Sequence, residues 1–409
     1  MRILPWIVLG FVAACSSASE DVASDKIAPS AIAVKPAPAM SEEAIALIKR
    51  FECNRCHEGE NFGVAPPDKQ CVGCHRQILD GNYEAKPELV AKWRSNIHSL
   101  PVAPSLISIG KKLRQSWVRS QLLHPVDQRP GLEATMPRLA MSDAEAGIFG
   151  QALVPQEAPE EVFSKQAAAQ GATLFEKFSC GSCHSFGASK AGGGEFSAGS
   201  RATAKPSRDE LALAPDLFLT RDRFQSGRLV EWLMNPQSID PHTLMPNFGF
   251  SRAQATSLAA YLWHHHAQPR PVSEIPGRLP ALEREVRWDE VFTKVFKTVC
   301  WHCHSSKELA LGDGGPGNTG GLGFPAKGLD FSSYQAIRSG SLGKDGKRRS
   351  IFVKDASGTS LLVRHLLARQ LEERGQESPD VRGMPLGFPS LSAEQVQLVE
   401  SWIAQGRPQ

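Results

Sequence analysis

No stretch of this 409-residue chain is apolar for long enough to cross a bilayer as a helix. The formal charge at neutral pH is only +3, and nothing in so small an excess argues for a nucleic-acid partner. No separate catalytic constellation is visible. The run Gly312-Asp313-Gly314-Gly315-Pro316-Gly317 fits G-x-G-x-x-G literally, but no strand precedes it and Pro316 sits inside it, so it reads as a loop rather than a dinucleotide site. Ala191-Gly192-Gly193-Gly194 reads the same way. No cysteine pair is left for a disulfide, because eight of the nine cysteines are placed in another pattern. Hydrophobic residues at 41% and charged residues at 22% are ordinary for roughly two to four soluble globular domains.

The eight cysteines form four groups: Cys53-Asn54-Arg55-Cys56-His57, Cys71-Val72-Gly73-Cys74-His75, Cys180-Gly181-Ser182-Cys183-His184 and Cys300-Trp301-His302-Cys303-His304. Two thiols three positions apart can add across both vinyl groups of one haem, and the adjoining histidine then lies beneath the porphyrin as proximal iron ligand. The first two pairs, taken alone, also resemble a zinc ribbon. A zinc site has no need of histidine directly after every second cysteine, and the repetition of that histidine favours four covalent haems. Each haem carries two propionates, so four ferrous haems add about eight negative charges and bring the holoprotein near about −5.

In chain order, Met1-Arg2 precedes a short apolar stretch from Ile3 to Ala14 that ends Val12-Ala13-Ala14-Cys15. This resembles a bacterial lipoprotein signal peptide over residues 1–15, which implies lipidation of Cys15 and export. The other reading is an ordinary signal peptide cut near Ala14. Residues 16–40, rich in Ala, Ser and Pro, read as a flexible tether. Helical patterns then lead into Cys53, Cys180 and Cys300. Periodic segments beginning at Ser142, Ser251 and Ser392 follow, each with the residue type an N-cap favours.

A repeat ties the units together. Ala103-Pro104-Ser105-Leu106 and Ala214-Pro215-Asp216-Leu217 stand at the same distance before Leu122-Leu123-His124-Pro125 and Leu233-Met234-Asn235-Pro236. Met136-Pro137 and Met245-Pro246 come downstream, and Met384-Pro385 occupies the corresponding place in a third unit. An opening helix with C-x-x-C-H, a variable middle, a methionine and a closing helix together resemble the cytochrome c fold. The resemblance implies an all-α chain of three consecutive cytochrome c-like domains: a dihaem domain at 41–158, a monohaem domain at 159–270, a linker at 271–284 and a monohaem domain at 285–409. The first would hold its second haem in a loop inserted before Pro104. By the same resemblance the carbonyls of Pro104 and Pro215 support His57 and His184.

Four irons with proximal ligands His57, His75, His184 and His304 need four distal ligands if they are to be six-coordinate. Met136, Met245 and Met384 each precede a proline and follow a haem motif, whereas Met234 and Met141 suit core packing better. For the haem on Cys71 and Cys74 the expected partner is His98, with His124 as rival. His302 is expected to face solvent, His365 rivals Met384, and His264 is expected to complement a helix end. The resulting expectation is a membrane-tethered tetrahaem carrier on the periplasmic side, exchanging electrons with redox proteins rather than acting as an enzyme. The alternative is a haem-dependent oxidoreductase, dihaem peroxidase-like, with an open distal site at the Cys71/Cys74 haem. The photosynthetic reaction-centre tetrahaem subunit is a weaker likeness, since its methionines precede their motifs.

Overall fold

Three serines begin three helices that close three hydrophobic cores. The Oγ atoms of Ser142, Ser251 and Ser392 each accept from the amide three residues on, and the side chains of Glu145, Gln254 and Gln395 return the bond to the serine amides. Two otherwise orphaned donors are satisfied at each start, which is why the helices Asp143–Leu153, Arg252–His264 and Ala393–Ala404 begin where the serines predict. The computed structural model describes residues 40–66, 69–97, 100–132, 136–187, 207–265, 274–305 and 320–409. The leader with Cys15, the tether before Met40, His98 and the two Gly-rich runs lie outside the described residues.

Each closing helix packs on an opening one. Glu42–Phe51 begins at the Ser41 cap, with Glu42 and Glu43 at its positive end and Lys49 and Arg50 at its negative end. Its Leu47, Ile48 and Phe51 meet Ala146, Phe149 and Val154 in the first core. In the second core Phe175, on the helix Lys165–Lys177, joins Leu258, Ala259 and Leu262. In the third, Val291, Val295 and Phe296 pack with Val399, Trp402 and Ile403. Each fully buried large side chain contributes about 2–3 kcal/mol relative to exposure. The helices Gln115–Leu123 and Ser226–Met234 carry the middle repeat, and Met141 and Met234 pack on cores as expected.

The units differ at their helix crossings. A Cβ on Gly171 would lie 1.9 Å from the Ser257 carbonyl oxygen, so only glycine lets these two helices approach so closely. Counting back from the first cysteine of each motif, the same position is Ala44 in the first unit and Val291 in the third, both fully buried.

The third opening helix starts as α-helix over Trp288–Val291 and widens into a π-helix over Phe292–Cys300. A two-residue antiparallel ladder, Ser341–Leu342 with Arg348–Arg349, departs from the all-α expectation at the basic turn. Among the described residues no helix is long and apolar enough to cross a membrane.

Hydrogen bonds join the units. The Arg114 amide donates to the Arg223 carbonyl, the Gln225 amide donates to the Lys112 carbonyl, and Lys112 pairs with Asp240 at 2.5 Å. Between the first and third units, Arg55 Nη2 donates to the Gly320 carbonyl at 2.8 Å, and Arg382 Nη1 donates to the carbonyls of Arg138 and Leu139.

Candidate functional site

The helix before Cys53 stops at Glu52, and the helix before Cys180 gives way to Ser179; both residues have left-handed backbone, with φ of 49° and 52°. This conformation is costly for a residue with a side chain. It turns the chain into 3₁₀ turns over Cys53–Arg55 and Cys180–Ser182, and the amides of His57 and His184 then donate back to Cys53 and Cys180 at 2.9 and 3.0 Å. The pair at Cys71 is built differently, on the first turn of the helix Cys71–Asp80. Arg94, from the neighbouring helix Pro87–Asn96, donates to the carbonyls of Ile78 and Leu79 near the far end of that helix.

The histidines are oriented from behind. His57 Nδ1 stands 2.8 Å from the Pro104 carbonyl oxygen, and His184 Nδ1 stands 2.8 Å from that of Pro215. A carbonyl only accepts, so the ring proton sits on Nδ1 and the Nε2 lone pair is kept for a metal. His75 Nδ1 has the same arrangement with the Leu100 carbonyl at 3.2 Å, an acceptor sequence reasoning did not anticipate. His304 Nδ1 is buried without a hydrogen-bond partner among the described residues, in keeping with the missing Ala-Pro-x-Leu segment in its unit. Its backbone carbonyl accepts from Phe331 instead.

One apolar cavity of about 620 Å³ holds both matched sites. It is lined by the cysteine pairs at 53/56 and 180/183, by His57 and His184, and by Met136 and Met245. Trp232 Nε1 stands 3.1 Å from Met245 Sδ and donates to it. Burial lowers the pKa of His57 and His184 despite their carbonyl partners, which keeps both imidazoles neutral, as iron ligation requires.

Two cations face the same cavity. Burial first, opposed by Asp127, pulls Arg129 down to about 10; burial and then repulsion by Arg129 pull Arg223 down to about 9. Arg223 Nε has no partner among the described residues. Two guanidiniums that repel each other in an apolar cavity call for anions, and haem propionates are anions of the right kind. Burial also pushes the thiols of Cys53 and Cys180 up to about 12, which suits a neutral thioether far better than a zinc thiolate. Among the described residues no three of His, Cys, Asp and Glu gather as a metal site of their own. These residues therefore fit covalent haem.

The cytochrome c family model matches residues 168–266, which include Cys180, Cys183, His184, Pro215 and Met245. The chain carries a cytochrome c domain. With that domain it is a haem-based electron-transfer protein whose c-type haem is covalently bound. Searches of curated proteins and of solved structures found no match.

Outside the cytochrome c domain, Met136 lies against the first core, while Met384 is half-buried and donates its amide to the His365 carbonyl at 2.9 Å. His365 Nδ1 stands 2.6 Å from the Arg382 carbonyl, and its charge helps burial pull His304 down to about 4. One expectation is corrected. His302 does not face solvent: it is half-buried, its ring centre lies 6.2 Å from that of His75, and burial followed by His75 lowers its pKa to about 4. His124 is turned toward the third unit, where it pairs with Glu377 at 2.9 Å. At the end of its helix, His264 bonds through Nε2 to the Phe163 carbonyl.

Sequence reasoning missed Arg129, Arg223 and Trp232. The first two carry no motif. Trp232 stands in the gapless repeat opposite Gln121, a difference visible in the sequence but mute without the sulfur beside it.

Proposed function

We propose that the chain is a tetrahaem c-type cytochrome that passes electrons between redox proteins on the periplasmic side of a bacterial membrane, held there by lipid on Cys15. Haems are borne by Cys53/Cys56, Cys71/Cys74, Cys180/Cys183 and Cys300/Cys303 over His57, His75, His184 and His304. Met136, Met245 and Met384 are the distal ligands of three of them. Three consecutive cytochrome c-like units hold the four groups. Iron in such a site exchanges one electron at a time; the chain supplies ligands, burial and hydrogen bonds that set its potential.

The observation that carries this reading is the duplication of the His57 site at His184: the same 2.8 Å carbonyl support, the same left-handed entry and a distal methionine in one shared cavity. A filled methionine position in each site favours electron transfer over substrate chemistry. The test is the haem count of the exported, purified protein, by covalent haem stain on a denaturing gel and by intact mass. Four haems per chain are expected; one haem per chain contradicts the reading.

A further inference from the structure

The Cys71 and Cys300 motifs meet. The thiols of Cys56 and Cys71 are close enough to interact, and Cys71 acts electrostatically on Cys303, so three of the four motifs converge on one place. There the imidazoles of His75 and His302 lie with ring centres 6.2 Å apart and planes tilted by 46°. Two imidazoles on opposite sides of one metal each place a nitrogen about 2.0 Å from it, and that nitrogen lies roughly 1.1 Å from its ring centre, so the centres stand roughly 6.3 Å apart. The 6.2 Å spacing matches that of an axial pair.

An ordinary tilted aromatic pair also falls in this range. Two observations favour the metal. The Leu100 carbonyl behind His75 holds the ring proton on Nδ1, which sets the tautomer whose Nε2 is the ligating atom. His302 is half-buried and makes no hydrogen bond to any described residue, so no polar group among them competes with a metal for its ring nitrogens.

We propose that His302 is the sixth ligand of the haem on Cys71 and Cys74. The inference rests on the tetrahaem reading and replaces His98 in it. It also gives the second haem a particular place in the chain of electron transfer. Its ligand is covalently flanked by Cys300 and Cys303, the attachment points of another haem, so a through-bond path runs from one iron to the edge of the next porphyrin.

The test uses the full holoprotein. Haem is counted first: fewer than four covalent haems in the wild type overturns the tetrahaem reading itself, before any variant is made. With four present, His302→Ala is examined by EPR of the oxidised protein and by carbon monoxide uptake of the reduced protein. One haem in four is expected to turn high-spin and to bind one equivalent of carbon monoxide, and free imidazole is expected to restore the low-spin spectrum. His98→Ala is expected to leave all four low-spin. Four low-spin haems in His302→Ala, or a high-spin haem in His98→Ala instead, overturns the inference while leaving the haem count intact. If the alanine variant does not load, His302→Met decides: conversion of one bis-histidine signal to a histidine–methionine one supports the assignment, and an unchanged spectrum overturns it.

Discussion

Around His57 and around His184 the chain repeats one construction: a left-handed residue, a 3₁₀ turn through the cysteines, and a prolyl carbonyl at 2.8 Å behind the ring. Around His304 the construction differs. A π-helix carries the chain into Cys300, and the ring nitrogen has no acceptor among the described residues. The difference teaches where orientation comes from. In the matched sites a loop residue fixes the imidazole before iron arrives, whereas in the third the ring is held by packing, with Phe331 at 5.8 Å, and by whatever ligates it from the far side.

The comparison breaks most visibly if a site is removed. Replacing Cys180 and Cys183 with alanine is expected to cost one covalent haem and a quarter of the haem absorbance, read by pyridine haemochrome. The corresponding change at Cys300 and Cys303 should lower the count by the same step.

Distal ligands come next. Met384→Ala is expected to turn one haem high-spin while His365→Ala leaves the spectrum low-spin; the opposite pattern would make His365 the ligand, as its carbonyl-bonded Nδ1 permits. Met245→His should lower the potential of the cytochrome c domain by on the order of 0.2 V, since thioether favours ferrous iron over imidazole. A scaffold difference follows. Gly171→Val meets the Ser257 carbonyl and is expected to cost about 3 kcal/mol in chemical denaturation. Ala44→Gly in the first unit should cost only about 1 kcal/mol. The smallest effect separates the twins themselves. Trp232→Phe removes the donor to Met245 Sδ, worth about 1 kcal/mol, and is expected to lower that haem's potential by about 40 mV. Gln121→Leu should leave the Met136 haem unmoved.

Much of the matched construction was legible beforehand, because it is written in residue types at constant spacing. The cysteine pairs, the serines at 142, 251 and 392 and the prolines at 104 and 215 each do one local thing, and local geometry follows from local sequence. The closing helices begin within a residue of where their serines indicate. What joins distant segments was not legible. Arg223 lies near Arg129 only because the first two units dock, and no spacing rule links them. His302 was expected in solvent because its motif neighbours point into one haem site; the docking of the third unit on the first turns it toward His75. The π-helix escaped as well, since Val291, Val295 and Phe296 fit an apolar stripe of either pitch.

The most direct test of the account is a spectroelectrochemical titration of the holoprotein across the full range of haem potentials. Four one-electron steps are predicted, three at higher potential for the histidine–methionine sites and one lower for the haem over His75. Four indistinguishable high-potential steps would contradict a bis-histidine iron, and fewer than four would contradict the tetrahaem reading.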